Sequence, residues 1–382
     1  AFDRVSHEKL LEVRKSYGID GKLLGWIKAF LKGRRQRVIV NGELSGSLEV
    51  TSGAPQGSVL GPLLFLLYIE DLTSCTVKGS KISLFADDSK VYFPDTLSLN
   101  ATLANLIELV EKRQLLLAPE KCHHLCVSKH QSSEVFNING TAIATSRDIV
   151  DLGITISSNL KWSAHISQMK TKAFLRTFQL FNSFATKNPW TLKKAYITFI
   201  RPLLECNTVL WNPHNVQEIK SLESVQRYFL RTLCRRASLP KASYSERLYW
   251  LNLTSLEYRR LNFDLVYVFK IINGLIDLPF ENLFTFINTP YNLRRHRYTL
   301  KVEKFKTNTR KYFFSNRVAP VWNKLPETVV YSRNLEEFKN QLNKIDLEQY
   351  ADLYFKSEDV AGSRTKSMVW HDSDGLKARC GT

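Results

Sequence analysis

Cysteine, methionine and acidic residues are scarce in this chain. Among 382 residues there are six Cys, two Met, and 36 Asp and Glu against 54 Lys and Arg. The six Cys stand at scattered positions, which argues against a disulfide-stapled extracellular domain and indicates reduced thiols. We therefore expect an intracellular protein of the nucleus and cytoplasm.

Long apolar runs are missing too. The longest, residues 59–69, contains Gly61 and Pro62 and is too short to span a bilayer. The sequence shows no signal peptide, so no membrane partner is expected. The chain begins with Ala1 and not with Met, so we expect a piece of a longer polypeptide.

Positive charge is abundant and unevenly distributed. The formal net charge is +18 and the pI is near 9.6, which favours a polyanionic partner. Residues 160–340 hold 30 Lys and Arg against 12 Asp and Glu, and the remainder holds 24 of each. The excess predicts contact with a nucleic-acid backbone in this region, with a solvated basic surface as the alternative.

Two adjacent acidic residues follow an apolar run. Residues 81–85 are rich in strand formers, Asp87 and Asp88 come next, and residues 91–93 are again strand-like. The pattern predicts a β-hairpin with both carboxylates at its tip. A solvated turn is one interpretation. The other is a Mg²⁺ site, because a divalent cation relieves the repulsion of paired carboxylates.

Residues 1–69 contain helix, hairpin and loop signals. Ser6 is a candidate helix N-cap, and a second helix is expected from about Gly21. Asn41-Gly42 predicts a hairpin turn between residues 38–40 and a returning strand. Residues 52–58 form a loop of small residues that allows a base pair to approach the backbone, followed by an apolar helix.

Residues 103–126 raise one competing possibility. An amphipathic helix is expected over residues 103–115. If the sequence after it forms a strand, Cys122, His124 and Cys126 share one face. No second ligand pair lies nearby in the sequence, so a zinc site is the minor alternative.

The second half of the chain is largely helical by periodicity. A hairpin is expected at residues 149–156, and helices within 165–236, 244–274 and 335–342. Basic residues alternate with aromatic ones in 165–236, which suits contact with a nucleic-acid duplex. The aromatic residues considered for such contact are Phe174, Phe178, Phe181 and Tyr196; aromatic side chains at this spacing are more often core than stacking platforms.

These segments together resemble the reverse transcriptases of non-LTR (LINE-type) retrotransposons. Phe-Ala-Asp-Asp at residues 85–88 resembles the metal-binding motif, residues 52–65 match the loop before it, and Asp151-Leu152-Gly153 is similar to the primer-grip hairpin. Segments after residue 312 are similar to elements of the CR1 or Jockey kind. The resemblance covers residues 1–345 and implies an RNA-directed DNA polymerase.

The fold implied by the resemblance is α+β, a right-hand polymerase without its fingers. It comprises a palm, with an antiparallel sheet backed by helices, then a mainly helical thumb and post-thumb region. The corresponding boundaries are a partial palm at 1–130, the end of the palm with the primer-grip-like hairpin at 131–164, the thumb at 165–243, the post-thumb region at 244–345 and a polar tail at 346–382.

The resemblance also implies catalytic roles. Asp87 is expected to be a principal Mg²⁺ ligand and Asp88 a lesser one, in a two-metal mechanism. Lys121 corresponds to the lysine that helps to protonate the pyrophosphate leaving group. An ordinary surface lysine is the alternative for Lys121.

Further roles concern the substrates, which the resemblance implies are an RNA template, a DNA primer and dNTPs. Gln56 and Gly57 are expected to lie against the incoming nucleotide and the template base. Phe2 matches the aromatic residue that excludes a ribose 2′-hydroxyl, although an aromatic residue here is equally often part of the core.

One catalytic position of the family has no counterpart. The first palm aspartate, the other main metal ligand, would lie four residues before Ala1, and Asp3 does not take its place in the motif. We therefore expect an incomplete two-metal site and no polymerisation by this chain alone. The alternative from another functional class is a nucleic-acid-binding remnant without polymerase activity.

Overall fold

The computed structural model describes residues 2–93, 95–127, 135–287 and 296–350. The chain divides into two compact units, Ala1–Arg147 and Asp148–Thr382. Helices and small two-stranded sheets make up both units, which agrees with the expected α+β class. Most of the predicted polar tail lies outside the described residues. No described helix is long and apolar enough to cross a membrane.

The first unit has four α-helices and ten short strands among its described residues. The helices are α1 (His7–Ser16), α2 (Gly21–Leu31), α3 (Leu60–Ile69) and α4 (Thr96–Lys112). The strands are β1 (Arg35–Gln36), β2 (Ile39–Val40), β3 (Glu43–Leu44), β4 (Leu48–Glu49), β5 (Lys81–Phe85), β6 (Asp88–Tyr92), β7 (His123–His124), β8 (Asn137–Ile138), β9 (Thr141–Ala142) and β10 (Ala144–Thr145).

Each of these strands pairs with a single partner. The pairs β1–β4, β2–β3, β5–β6 and β8–β9 are antiparallel, and β7–β10 is parallel. Asn41-Gly42 forms the predicted turn of β2–β3, with positive φ at both residues as a type I′ turn requires. The described strands therefore form separate two-stranded ladders, whereas the resemblance implied one antiparallel sheet.

The larger of two hydrophobic clusters among the described residues of the first unit joins its helices to β5. Its fully buried residues include Leu10 from α1, Leu31 from α2 and Phe65 from α3, and Ile82 joins them from β5. Helix α4 adds Leu106 and Val110. Each fully buried side chain of this kind contributes ~1.5–3 kcal/mol. The apolar run at 59–69 thus forms a helix that buries Leu64, Phe65 and Tyr68 in this core, while Leu63 and Leu66 stay exposed.

The second unit is mostly helical. It begins with the hairpin β11 (Asp148–Asp151) and β12 (Ile154–Ser157). Its helices are α5 (Ser163–Ser183), α6 (Pro189–Phe199), α7 (Arg201–Glu205), α8 (Thr208–Trp211), α9 (Val216–Arg236), α10 (Tyr244–Trp250), α11 (Leu256–Ile272), α12 (Asn308–Lys311), α13 (Phe314–Trp322), α14 (Glu327–Val330) and α15 (Leu335–Lys344). The helices predicted from periodicity are confirmed.

Two hydrophobic cores follow each other along this unit. Residues 154–256 form the first, around Trp211 and Phe229, and residues 261–350 form the second, around Trp322 and Phe338. Tyr350 packs into the second core, and its hydroxyl donates to the carbonyl of Lys324 at 3.2 Å. Packing therefore extends beyond residue 345, where the predicted post-thumb region ends.

A buried carboxylate connects α9 with α11. Glu223 accepts hydrogen bonds from the backbone N–H of Leu256, at 3.2 and 3.1 Å, and from the hydroxyl of Tyr244. A carboxylate at a helix N-terminus is stabilised by the helix dipole. Burial nevertheless raises the pKa of Glu223, against the lowering effect of these hydrogen bonds and of Arg260.

His165 joins the β11–β12 hairpin to α5. Its Nδ1 accepts a hydrogen bond from the backbone N–H of Thr155 at 3.2 Å, and its ring meets Trp211 edge-on with centroids 5.0 Å apart. The side chain is buried. Burial, and to a smaller extent the charge of Lys172, lowers the pKa of His165, so the folded protein favours the neutral ring.

This arrangement predicts a pH-dependent stability. Because the folded-state pKa of His165 is depressed, the unfolded chain takes up the proton first. Stability is then complete above the unfolded pKa of about 6.5 and declines as pH falls below it. In His165→Asn, Oδ1 can accept the bond without titrating. Urea denaturation between pH 8 and pH 5 should show a smaller loss for the variant; an equal loss would contradict the assignment.

Candidate active site

The two adjacent carboxylates lie at a hairpin tip, as predicted. Phe85 pairs with Asp88 across β5–β6, and Ala86 and Asp87 form the connecting turn. Both Asp side chains are exposed. On the other side the hairpin is anchored, because Ile82, Leu84 and Val91 pack into the core of the first unit.

The turn itself is strained. Ala86 has φ of +51°, a left-handed conformation that costs an L-residue other than glycine roughly 1–2 kcal/mol. Two-residue hairpin loops need positive φ at their first central position, where glycine or asparagine is usual. The carboxylates are thus presented by a backbone that neighbouring packing has to hold in place.

The loop at residues 52–58 packs on the N-terminal turn of residues 2–4. The backbone N–H of Ala54 donates to the carbonyl of Phe2 at 3.0 Å, and that of Gly53 donates to the carbonyl of Val5 at 2.9 Å. At Gly53, φ is +93°, and a Cβ would lie 3.1 Å from the Cα of Asp3. Only glycine suits this close approach.

Gln56 is hydrogen-bonded to Asp3, a residue to which the sequence assigns no role. Its Nε2 donates to Oδ1 of Asp3 at 2.8 Å, and both side chains are exposed. The hydroxyl of Ser52 donates to the carbonyl of Asp3 at 3.0 Å. Asp3 therefore orients the Gln56 amide. The two residues are 53 positions apart, and no local pattern would have paired them.

Phe2 packs against α3. Its ring stacks on Phe65 with centroids 4.0 Å apart and an interplanar angle of 19°. It is half-buried at the edge of the core. This stacking gives Phe2 a packing role in the core. The expected role of Phe2 in excluding a ribose 2′-hydroxyl stays a prediction.

Lys121 and the Cys/His cluster lie in the segment after α4. Lys121 ends a 3-10 turn, Pro119–Lys121, and is exposed. The strand assumed for the zinc alternative spans only His123–His124. The ring of His124 meets that of Phe136 edge-on at 4.7 Å, and burial lowers the pKa of His124. His124 is therefore a packing residue, and the shared ligand face is not formed.

The donor set at the hairpin tip matches Mg²⁺ in type, but two carboxylates are few for a site that holds two ions. Carboxylate oxygens are the ligands that Mg²⁺ prefers, and substrate phosphates usually add to one or two of them. Asp87 and Asp88 supply that pair. In the ranges that the structure describes, no group of three or more His, Cys, Asp or Glu could hold a metal ion.

A separate basic face lies on α5 in the second unit. Lys172, Leu175 and Arg176 are exposed on one side of the helix, and Phe178, at 62% exposure, lies three residues after Leu175. Of the four aromatic residues predicted in this region, Phe181 and Tyr196 are buried in the core and Phe174 packs against it. Phe178 alone among the four is exposed for contact with a ligand.

Comparison with known proteins identifies the chain's class. Residues 1–177 match the family described as reverse transcriptase (RNA-dependent DNA polymerase). The matched range contains the N-terminal turn, the Gln56 loop and the Asp87–Asp88 hairpin. Residues 1–177 are therefore similar to the reverse transcriptase family.

Individual relatives narrow the assignment. A probable RNA-directed DNA polymerase from transposon X-element of Drosophila melanogaster is 24% identical over 247 residues, 61% of this chain and 27% of the relative. The RNA-directed DNA polymerase from mobile element jockey of the same species is 30% identical over 183 residues, 44% of this chain and 20% of the relative. The chain is thus similar to RNA-directed DNA polymerases of non-LTR (LINE-type) retrotransposons. It spans about a quarter of the length of these two relatives.

The position of the Gln56 loop depends on the absence of a side chain at residue 61. The hydroxyl of Ser58 donates to the carbonyl of Pro55 at 2.6 Å and accepts from the N–H of Gly61 at 2.9 Å. A Cβ on Gly61 would lie 2.6 Å from the Pro55 carbonyl oxygen. The loop thus packs directly on the first turn of α3.

Gly61→Ala should therefore destabilise the protein. In an open helix, Gly→Ala stabilises by about 0.5–1 kcal/mol, whereas overpacking here should cost ~1–3 kcal/mol. Gly25→Ala in α2 is the matched control, because nothing lies within 4 Å of its added Cβ. Urea denaturation should give opposite signs for the two variants. A Gly61→Ala protein as stable as Gly25→Ala would contradict the packing described.

Proposed function

We propose that this chain is the palm and thumb portion of an RNA-directed DNA polymerase that copies the RNA of a non-LTR retrotransposon. The reaction joins the primer 3′-oxygen to the α-phosphorus of a dNTP, and the bond to pyrophosphate breaks. The exposed Asp87–Asp88 pair at a strained, core-anchored hairpin tip is the observation that carries the proposal. An intracellular location, in nucleus and cytoplasm, belongs to the same proposal.

Asp87 and Asp88 act on the phosphates of the dNTP. When bound by these carboxylates, Mg²⁺ would stabilise the charge that develops around the reacting phosphorus. Catalysis of this kind depends on positioning and electrostatics, so the rigid hairpin base matters as much as the charges. Lys121, which is exposed at the end of its turn, is proposed to donate a proton to the departing pyrophosphate.

The Gln56 loop is the proposed contact with the nascent base pair. Gln56 and Gly57 are exposed, and the hydrogen bond with Asp3 fixes the direction of the Gln56 amide. A preorganised amide loses little conformational entropy when a substrate binds. Phe2 lies in the same N-terminal turn as Asp3, which supports its proposed position near the sugar of the dNTP.

Replacing one carboxylate tests this function. In the full-length gene product, Asp87→Asn should abolish primer extension on an RNA template while duplex binding stays near normal. The lost charge acts on the transition state, whereas binding depends on basic residues elsewhere. Asp20→Asn, which changes an exposed Asp without a side-chain capping bond, is the matched control. Near-normal nucleotide incorporation by Asp87→Asn would refute the catalytic assignment.

A second candidate function is nucleic-acid binding without polymerisation. The number of metal ligands favours it. The hairpin tip offers two carboxylates, whereas a two-metal displacement needs further carboxylates to hold both ions in line with the reacting phosphate. The same primer-extension assay separates the two candidates. Extension by residues 1–382 that disappears in Asp87→Asn would exclude the binding-only function.

The basic face of α5 is the proposed contact with the primer–template duplex. Lys172 and Arg176 would neutralise phosphates, so affinity should fall steeply with salt. Removing both charges by Lys172→Ser and Arg176→Ser should lower the slope of log affinity against log salt by about 0.9 for each lost contact. Lys339→Ser with Lys344→Ser on α15 removes the same charge as a control. Equal slopes for both double variants in fluorescence anisotropy would contradict this interface.

A further inference from the structure

A second basic surface lies far along the chain, at residues 301–313. Every residue from 301 to 311 is exposed. The segment contains one acidic residue, Glu303, and its five cationic residues are Lys301, Lys304, Lys306, Arg310 and Lys311. It precedes α13 and belongs to the second unit. The reverse transcriptase match ends at residue 177, so this surface lies outside it.

Buried polar groups fix the backbone of this exposed segment. Asn316 is 5% exposed, and its Oδ1 accepts from the N–H of Glu303 at 3.3 Å while its Nδ2 donates to the carbonyl of Arg310 at 2.9 Å. Asn316 thus closes the loop between residues 303 and 310. At its start, the N–H of Lys301 donates to the carbonyl of Thr285 at 2.8 Å.

The end of the segment is held by an ion pair. Nη1 of Arg317 donates to the carbonyl of Tyr312 at 3.2 Å. The same guanidinium contacts the buried carboxylate of Asp264 at 2.7 and 2.9 Å. Bidentate pairs of this kind are geometrically specific. The backbone is therefore preorganised although its side chains extend into solvent.

Most of the positive charge here has no ion-pair partner among the residues that the structure describes. Arg310 pairs with Glu303. In the described ranges, no ion pair is formed by the other four cations, Lys301, Lys304, Lys306 and Lys311. Four like charges on one short loop repel each other, and a polyanion would remove that repulsion.

Aromatic rings lie between these charges. Phe305 and Phe313 are 45% and 41% exposed. The ammonium group of Lys311 lies 5.7 Å from the ring centroid of Phe305 and 5.3 Å from that of Tyr312. His214 stacks on Tyr312 with centroids 4.1 Å apart and an interplanar angle of 8°. The surface therefore offers flat rings and cations side by side.

We propose that residues 301–313 bind single-stranded RNA, with the lysines on its phosphates and Phe305 stacked on a base. Exposed aromatic rings favour single strands, because duplex bases are already stacked on one another. The proposal rests on the function proposed above and adds to it a binding surface for unpaired RNA. It requires no contact with the Asp87–Asp88 hairpin.

The test measures binding of a fluorescent oligouridylate of about 12 nucleotides to residues 1–382 by anisotropy at several salt concentrations. Changing Lys301, Lys304, Lys306 and Lys311 to Ser should weaken binding at least about tenfold and lower the salt slope by ~0.7 for each lost contact. Phe305→Ala should weaken binding about fivefold or more with an unchanged slope. Melting by circular dichroism verifies that each variant is folded.

A matched control removes four exposed lysines elsewhere in the second unit: Lys241, Lys324, Lys339 and Lys344, each changed to Ser. Equal weakening by the two quadruple variants would overturn the proposal in favour of net charge alone. Competition by polyglutamate as effective as that by unlabelled RNA would overturn it in favour of an acidic protein partner. If the full-length product cannot extend primers, the proposed polymerase function is refuted. The RNA-binding measurement does not depend on primer extension and still tests the proposal for residues 301–313.

Discussion

The close approach of the Pro55 carbonyl to Gly61 is the constraint on which the candidate site depends. The loop packs against the first helical turn of α3 without an intervening side chain, and this contact determines the position of Gln56. The loop also forms hydrogen bonds with the N-terminal turn, to the side chain of Asp3 and to the carbonyl of Phe2. The ring of Phe2 in turn stacks on Phe65 of the same helix. Loop, turn and helix thus support each other, and the Asp hairpin shares their core.

Strain recurs at two hairpin tips that match the motifs of the family. Ala86 beside the carboxylates has φ of +51°, and Leu152 at the tip of β11–β12 has φ of +46°. A non-glycine residue in this region has to be held by its surroundings, and such residues cluster at functional sites. Both hairpins are anchored: β5–β6 by its apolar face, β12 by the hydrogen bond from Thr155 to His165. Packing thus holds both tips in this left-handed backbone conformation.

Local signals in the sequence predicted the Asp87–Asp88 tip, the Asn41-Gly42 turn and the helices of the second unit, because spacing and turn residues determine such elements. The link between Asp3 and Gln56 was not predictable, since it arises from tertiary packing between distant segments. The zinc alternative was wrong because it assumed a longer strand; His124 instead packs against Phe136. The basic loop at 301–313 could have been noticed from its alternation of Lys and Phe, but its fixation by buried Asn316 could not.

The central claim is that the carboxylates of Asp87 and Asp88 bind a divalent cation together with substrate phosphates. It is tested most directly by titrating Mn²⁺ into the isotope-labelled protein in the presence of primer–template and dNTP, and following paramagnetic broadening of amide signals. We expect broadening that starts at residues 86–89 and is lost in Asp87→Asn. Broadening that begins elsewhere, or that persists at residues 86–89 in the variant, would contradict it.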